Sequence, residues 1–332
     1  MLDPRRELAD LHIHVGAAVA PHILWSIAHD QGFKLPVSTY WEFRDLVTAA
    51  PDKVSSLGDY LAILHQWTEK IQSSPAAIER SVYEIIGKEF RSSHVSLIEL
   101  RFNPMKRNLG GERDLDHIIH AALRGMDRAC LEYGVRAGLI FCLAREFPIE
   151  LNEILVKKAI KYRARGVIGI DLAGPEMHTL ELGEQVDGYR ALFERARASG
   201  LGTTVHTGET TYTAAPGVLA VLEKLSPARI GHGIAAARSE EALRKLVEAG
   251  TVLEICPSSN LRTRAVADLA DLAAALRTFE QAGVRFTINT DGPYLLNTHL
   301  RHEYDLLSEA GILNEAQIDR AIAVARAATF IR

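Results

Sequence analysis

The chain has 332 residues, of which 47% are apolar and 24% charged, and its net charge is −4. That length buries a sizeable core, and residues 1–332 read as one domain. The mild acidity, with Lys and Arg spread along the chain, excludes a basic nucleic-acid groove and a surface built for an anionic membrane.

The N-terminal "MLDPRRELADLH" has no apolar core of signal-peptide length. No window approaches the ~18 uninterrupted apolar residues of a membrane span. Short apolar segments then recur at 8–14, 95–101, 135–143, 167–172, 202–206, 229–232, 251–255 and 285–290, and each is expected to be a β-strand. Longer amphipathic segments separate them. "PAAIERSVYEIIGKEFRSS" begins at Pro75 with apolar residues at helical spacing. Asp114, Ser239 and Asp268 stand where helix N-caps belong, and Gly134, Gly166, Gly200, Gly250 and Gly283 where helices end. Eight βα units with strands apolar almost throughout imply a parallel sheet covered by helices, and at this length a (β/α)8 TIM barrel.

Residues 15–94 exceed one loop and one helix. They hold "PHILWSIAHDQGF", "YWEFRDLVTA" and "LGDYLAILHQWTEKIQS", read here as extra helices forming a lid over the barrel mouth. Their aromatics, Trp25, Tyr40, Trp41, Phe43, Tyr60 and Trp67, suit a lid or the packing of a barrel flank. The three cysteines, Cys130, Cys142 and Cys256, form no C-x-x-C pair, which argues for a reducing compartment and a cytoplasmic protein. The abrupt ending "AATFIR" leaves a short further tail open.

Barrel active sites lie at strand C-termini. There the first strand carries His12 and His14, which a period of two turns to one face. The fifth ends in His206 with Glu209 after it, the sixth in His232 between two glycines, and the eighth in "TINTDGP" with Asp291. His12, His14, His206 and Asp291 form an N/O donor set without thiolate, suited to one divalent metal, Zn²⁺ first, with an open position for water. His232 is then a candidate general base, Glu209 a proton donor, and Gly174 in "DLAGPE" an unobstructed N–H for a flat heterocycle. The other nine histidines, among them His65, His117, His120 and His302, read as surface or packing residues.

At these residues the sequence resembles the adenosine deaminase family of the amidohydrolase superfamily. The matching stretches are "LHIHVGA", "ELRFNP", "DLAG", "HTGE", "RIGHG", "EICPSSN" and "TINTDGP", in family order over nearly the whole chain. The resemblance implies one zinc on His12, His14, His206 and Asp291, with Glu209, His232 and Asp291 as the catalytic groups. It also implies hydrolytic deamination of a 6-aminopurine nucleoside at C6. Glu209 protonates N1, His232 assists the attacking water, and Gly174 bonds the ring. Cys256 starts no P-C-x-x-C motif, so the zinc pattern of cytidine and tRNA deaminases is absent.

Two positions depart from the family pattern. Gly16 stands for an aspartate at the ribose end of the substrate, and Gly292 for an aspartate that hydrogen-bonds the purine. Both are expected to open the pocket. Together with Gly174 and His14 they make the expected substrate-facing set. The expected partner is a small purine: adenosine or deoxyadenosine, with adenine, N6-substituted adenosine, AMP or an aminodeoxyfutalosine-like conjugate as alternatives. The fold also suits hydrolysis of another amidine, amide or ester, and a purine-binding protein without catalysis is the remaining class.

Overall fold

The computed structural model describes residues 2–109, 113–176 and 185–332. All eight strands form where expected, to within two residues at their ends. They are β1 (Leu8–His14), β2 (Val95–Phe102), β3 (Arg136–Ala144), β4 (Val167–Ala173), β5 (Gly202–Thr207), β6 (Arg229–His232), β7 (Val252–Ile255) and β8 (Phe286–Ile288). Their order in the sheet is their order in the chain, and every neighbouring pair is parallel. Just beyond β8 the ring joins β1. The Asp291 N–H donates to the His12 carbonyl and the His14 N–H to the Asp291 carbonyl, each at 2.8 Å. This is the expected (β/α)8 barrel.

The caps are where the sequence puts them. The side chains of Asp114, Ser239 and Asp268 accept first-turn backbone N–H groups of their helices. Gly134 and Gly250 close theirs at φ 67° and 65°, a conformation that costs glycine little. Among the described residues no helix is long and apolar enough to cross a membrane.

The stretch after β1 contains the helices Pro21–Asp30, Tyr40–Leu46 and Leu57–Ile63, then a π turn over Leu64–Thr68 that runs into Glu69–Ile71. The helix Pro75–Ser93 is different: it packs on Leu115–Tyr133 and on β2, so it is the barrel's own first helix and only the residues before it are additional. The contact between those two long helices is close at Gly125. A Cβ there would overlap the Glu79 backbone carbonyl.

The expectation of strands apolar almost throughout fails on one face. On β2, Ile98 and Leu100 join the large core beneath the helices, while Glu99 and Arg101 alternate with them and are 0% exposed. Asp171 on β4, Arg229 on β6 and Glu254 on β7 are buried too. Each of these charges has an opposite partner, as buried charge requires. Arg229 also stacks on Phe330, 3.6 Å from the ring centroid, so the last residues of the chain close the far end of the barrel.

Replacing Gly125 by Ala is expected to destabilise the fold by about 1–3 kcal/mol, because neither helix backbone has room to withdraw. The shift in urea midpoint at constant m-value measures it.

Candidate active site

β1 places His12 and His14 on one face, and β5 brings His206 across to them. The Nε2 atom of His206 lies 3.1 Å from His12 Nε2 and 3.0 Å from His14 Nε2. The other sides of two of these rings are held by carboxylates. His12 Nδ1 is 2.7 Å from Glu254 Oε2, and His206 Nδ1 is 3.0 Å from Asp171 Oδ2. A neutral imidazole has one N–H. The carboxylates keep it on Nδ1, so His12 and His206 turn lone pairs toward each other. A proton on His14 can satisfy only one of them. Burial holds His12 and His14 well below the usual imidazole pKa, with the neighbouring cationic Arg101 and the other imidazoles adding to it, so these rings are neutral.

Asp291 adds a carboxylate oxygen 3.5 Å from His14 Nε2 and 3.7 Å from His12 Nε2, while its other oxygen accepts the Ser259 hydroxyl at 2.6 Å. Its φ is 62°, a strained value for a non-glycine residue, held by the backbone pair that joins the barrel ends. Donors bound at about 2.0–2.1 Å around a tetrahedral ion stand roughly 3.3 Å apart. The two His206–imidazole separations and the two from Asp291 to His14 and His12 run from 3.0 to 3.7 Å, around that figure. The facing nitrogens of His12, His14 and His206 could hold one divalent cation, and Asp291 forms a second such group with His12 and His232. A single centre shared by both would draw on His12, His14, His206 and Asp291.

His232 follows at the end of β6, also at positive φ (60°) and 1% exposed. Asn260 Nδ2 lies 3.0 Å from its Nδ1, and Glu209 Oε2 3.4 Å from its Nε2. Gly231 before it leaves little room: a Cβ would lie 3.1 Å from the His12 ring and 3.2 Å from the His206 ring. Glu209 is itself buried, and its Oε1 accepts the Thr263 hydroxyl at 2.9 Å. Burial, then the negative charges of Asp291 and Glu176, raise its carboxyl well above the usual range. Burial therefore favours the protonated form of Glu209 relative to an exposed carboxyl.

Glu176 escaped the sequence reading, which used "DLAGPE" only through Gly174. Its Oε1 accepts the Glu209 N–H at 3.1 Å, and its Oε2 accepts the Thr210 N–H at 2.7 Å and the Thr210 and Thr213 hydroxyls at 2.6 Å. It fixes the loop that aims Glu209. The signal was its place two residues after Gly174, on the strand end that faces β5.

His14, His206, His232, Glu209 and Asp291 floor a cavity of about 750 Å³. Gly174 (φ 105°) and Glu176 form one wall, and the helix Leu57–Ile63 with Leu64 forms another. His65 lines it too, 3.3 Å from Lys106 Nζ, which corrects its reading as a surface or packing residue: the π turn brings it to the rim. Of the six aromatics named from this stretch, only Tyr60 lines the cavity. Trp25, Tyr40 and Phe43 pack on one another, Trp41 is 64% exposed, and Trp67 lies against the main core. Cys256 is buried just after β7 and joins no donor cluster among the described residues.

Gly16 lines the cavity as expected, closely bordered by side chains, whereas the expectation that Gly292 opens the pocket is overturned. A Cβ at residue 16 would meet Leu64 at 3.0 Å and the Arg107 and Glu69 side chains at 3.2 Å. At residue 292 it would coincide with the Tyr60 hydroxyl, with Ala17 Cβ 2.6 Å away. Tyr60 from the insertion occupies the place of a side chain at 292, and Leu64, Glu69 and, from after β2, Arg107 border residue 16.

An eight-stranded parallel barrel whose strand ends gather imidazoles and carboxylates around one point, beside a buried acid, is a metal-dependent hydrolase. The sequence matches the profile of the family described as "Adenosine deaminase" over residues 7–332. It is 30% identical over 325 residues to an adenosine deaminase of Escherichia coli O1:K1, covering 97% of this chain and 92% of that one. The chain belongs to the adenosine deaminase family, whose reaction class is the deamination of a 6-aminopurine. Among solved structures, an adenine deaminase from Arthrobacter aurescens superposes with a TM-score of 0.85 at 21% identity, covering 98% of this chain and 94% of that one. An N6-mAMP deaminase from Arabidopsis gives 0.81 at 21% identity, covering 99% and 95%. At such identities the likeness is one of fold.

Asp171→Asn keeps the shape but weakens the grip on His206 Nδ1. Metal affinity, measured by competition with a chelator, is expected to fall about 10- to 100-fold; an unchanged affinity would contradict the orienting role.

Proposed function

We propose that the protein is a zinc-dependent adenosine deaminase, converting adenosine or 2′-deoxyadenosine and water to the inosine counterpart and ammonia. The observation that carries this reading is the buried Glu209, its carboxyl raised by burial, on the same cavity as His14 and His206, whose Nε2 atoms face each other and, through His206, His12. Zinc is favoured by three imidazoles and one carboxylate at tetrahedral spacing. When bound, such an ion supplies Lewis acidity and brings the pKa of a water toward neutrality.

The chain's own residues do the rest. Glu209 gives its proton to N1 of the purine, which makes C6 electron-poor and open to attack. His232, neutral because burial holds its pKa well down, takes up a proton at the attacked face. Asp291, steadied by Ser259, faces the same point. The Gly174 N–H offers the ring a hydrogen bond from the wall it forms with Glu176. The closed floor keeps bulk water from the acid.

The rim favours a nucleoside over a nucleotide. Lys106 is paired with Glu146 at 2.6 Å and Arg107 with Glu69 at 2.8 Å, so these two cations are neutralised before any phosphate arrives. The filled positions beside Gly16 and Gly292 also remove the reason to expect enlarged adenosines to fit. The three free thiols suit the cytoplasm as the working compartment.

Two measurements test the reading. The zinc-loaded protein should release ammonia from adenosine faster than from adenine, AMP or N6-methyl-AMP; no release from any of them would sink it. Glu209→Gln should lower turnover about 10²- to 10⁴-fold with bound metal unchanged, whereas a loss below tenfold would remove Glu209 from the proton-donor role.

A further inference from the structure

Tyr60 is 3% exposed, and its hydroxyl has no hydrogen-bond partner among the described residues. It is nonetheless at the cavity, in the company of His14, Glu209, His232 and Asp291. A hydroxyl this deep is ordinarily paired, and an unpaired one is a candidate for a ligand contact. Its position is also set from outside its own helix. It stands where any side chain at residue 292 would begin, so the glycine at 292 and the tyrosine at 60 are one arrangement.

We infer that Tyr60 Oη is the hydrogen-bond donor that reads the five-membered-ring edge of the purine, at N7, in place of a side chain at residue 292. The inference rests on the proposed 6-aminopurine substrate. A 6-aminopurine carries N1 on one side of C6 and N7 on the other, both acceptors. Glu209 extends from the end of β5 and Gly292 from the end of β8, three strands further round an eight-stranded ring. With C6 over the His12–His14–His206 cluster and N1 at Glu209, the opposite edge of the ring faces residue 292 and hence Tyr60. The hydroxyl is fit to donate. Burial, and then the carboxylates of Asp291 and Glu209, push its pKa well above the ordinary phenol value, which favours the protonated, donating form. A phenol offers one donor in a fixed direction from a rigid ring, and a ligand that presents carbon at that position leaves it unpaired again.

The experiment removes the bond from each side in turn. Purine riboside and 7-deazapurine riboside, neither of which has an amino group to lose, are titrated calorimetrically into the metal-loaded wild type and into Tyr60→Phe. Wild type is expected to bind purine riboside about tenfold more tightly than the 7-deaza analogue. Tyr60→Phe is expected to bind the two alike, and to lose the same factor in kcat/KM for adenosine but not for 7-deazaadenosine. A Tyr60→Phe protein that still discriminates by tenfold overturns the assignment. So does a wild type that deaminates adenosine yet treats the two ribosides alike, a result that needs no variant to fold. A wild type that neither binds nor deaminates any purine overturns the substrate reading itself, and the Tyr60 assignment with it.

Discussion

The site depends on one buried arrangement: Arg101 lies between Glu254 and Asp171, 2.9 and 3.1 Å from their oxygens, and each of those carboxylates also holds the Nδ1 of a different histidine. Burial alone would raise Asp171's carboxyl, but the imidazole of His206 and the guanidinium of Arg101 hold it well below the usual range. Three charges without water are costly unless each is paired and hydrogen-bonded. Here the pairing is shared: Arg101 serves both carboxylates, and Glu254 is also paired with Arg229. What the arrangement achieves is direction: it sets which nitrogen of His12 and His206 carries the proton, and so where the free lone pairs point.

The same economy appears in the backbone. The two hydrogen bonds that join the barrel's ends, between Asp291 and the His12 and His14 peptides, also hold Asp291 in a left-handed conformation. Its carboxylate is thereby turned toward the histidines of β1. Closing the barrel and completing the donor set are one event. His232 has a comparable strained φ, and Gly231 before it lets the His12 and His206 rings pass close to the strand. Strain of this kind persists only where surrounding structure over-determines it. The Asn260 and Glu209 contacts on His232 supply that.

The substrate end is built differently. The imidazoles and carboxylates sit on or just after strand ends, while the helix and π turn between residues 57 and 71 supply another wall of the cavity. Two glycines at rim positions give up their own side chains, and Tyr60, Leu64, Glu69 and Arg107 occupy the space. A residue change at the rim and a change in the insertion therefore cannot be judged separately. The volume left to a ligand is decided by both.

Much of this was legible in one dimension. The period of two placed His12 and His14 together, apolar segments alternating with capped helices implied the barrel, and residues at strand C-termini marked His206, His232, Glu209 and Asp291. These are local properties, since each follows from neighbours a few positions away and from the rule that a parallel barrel works at its strand ends. The partners of those residues were not legible. Glu254 meets Arg101 across 153 residues of chain and Asp171 meets it across 70, and a charged residue inside an apolar strand carries no mark of which opposite charge it will find. Nor did a glycine at 292 say whether it left a void or a seat for Tyr60, 232 positions earlier. Pairing between side chains distant in sequence is settled by packing, because distances across a barrel depend on every strand and helix between them.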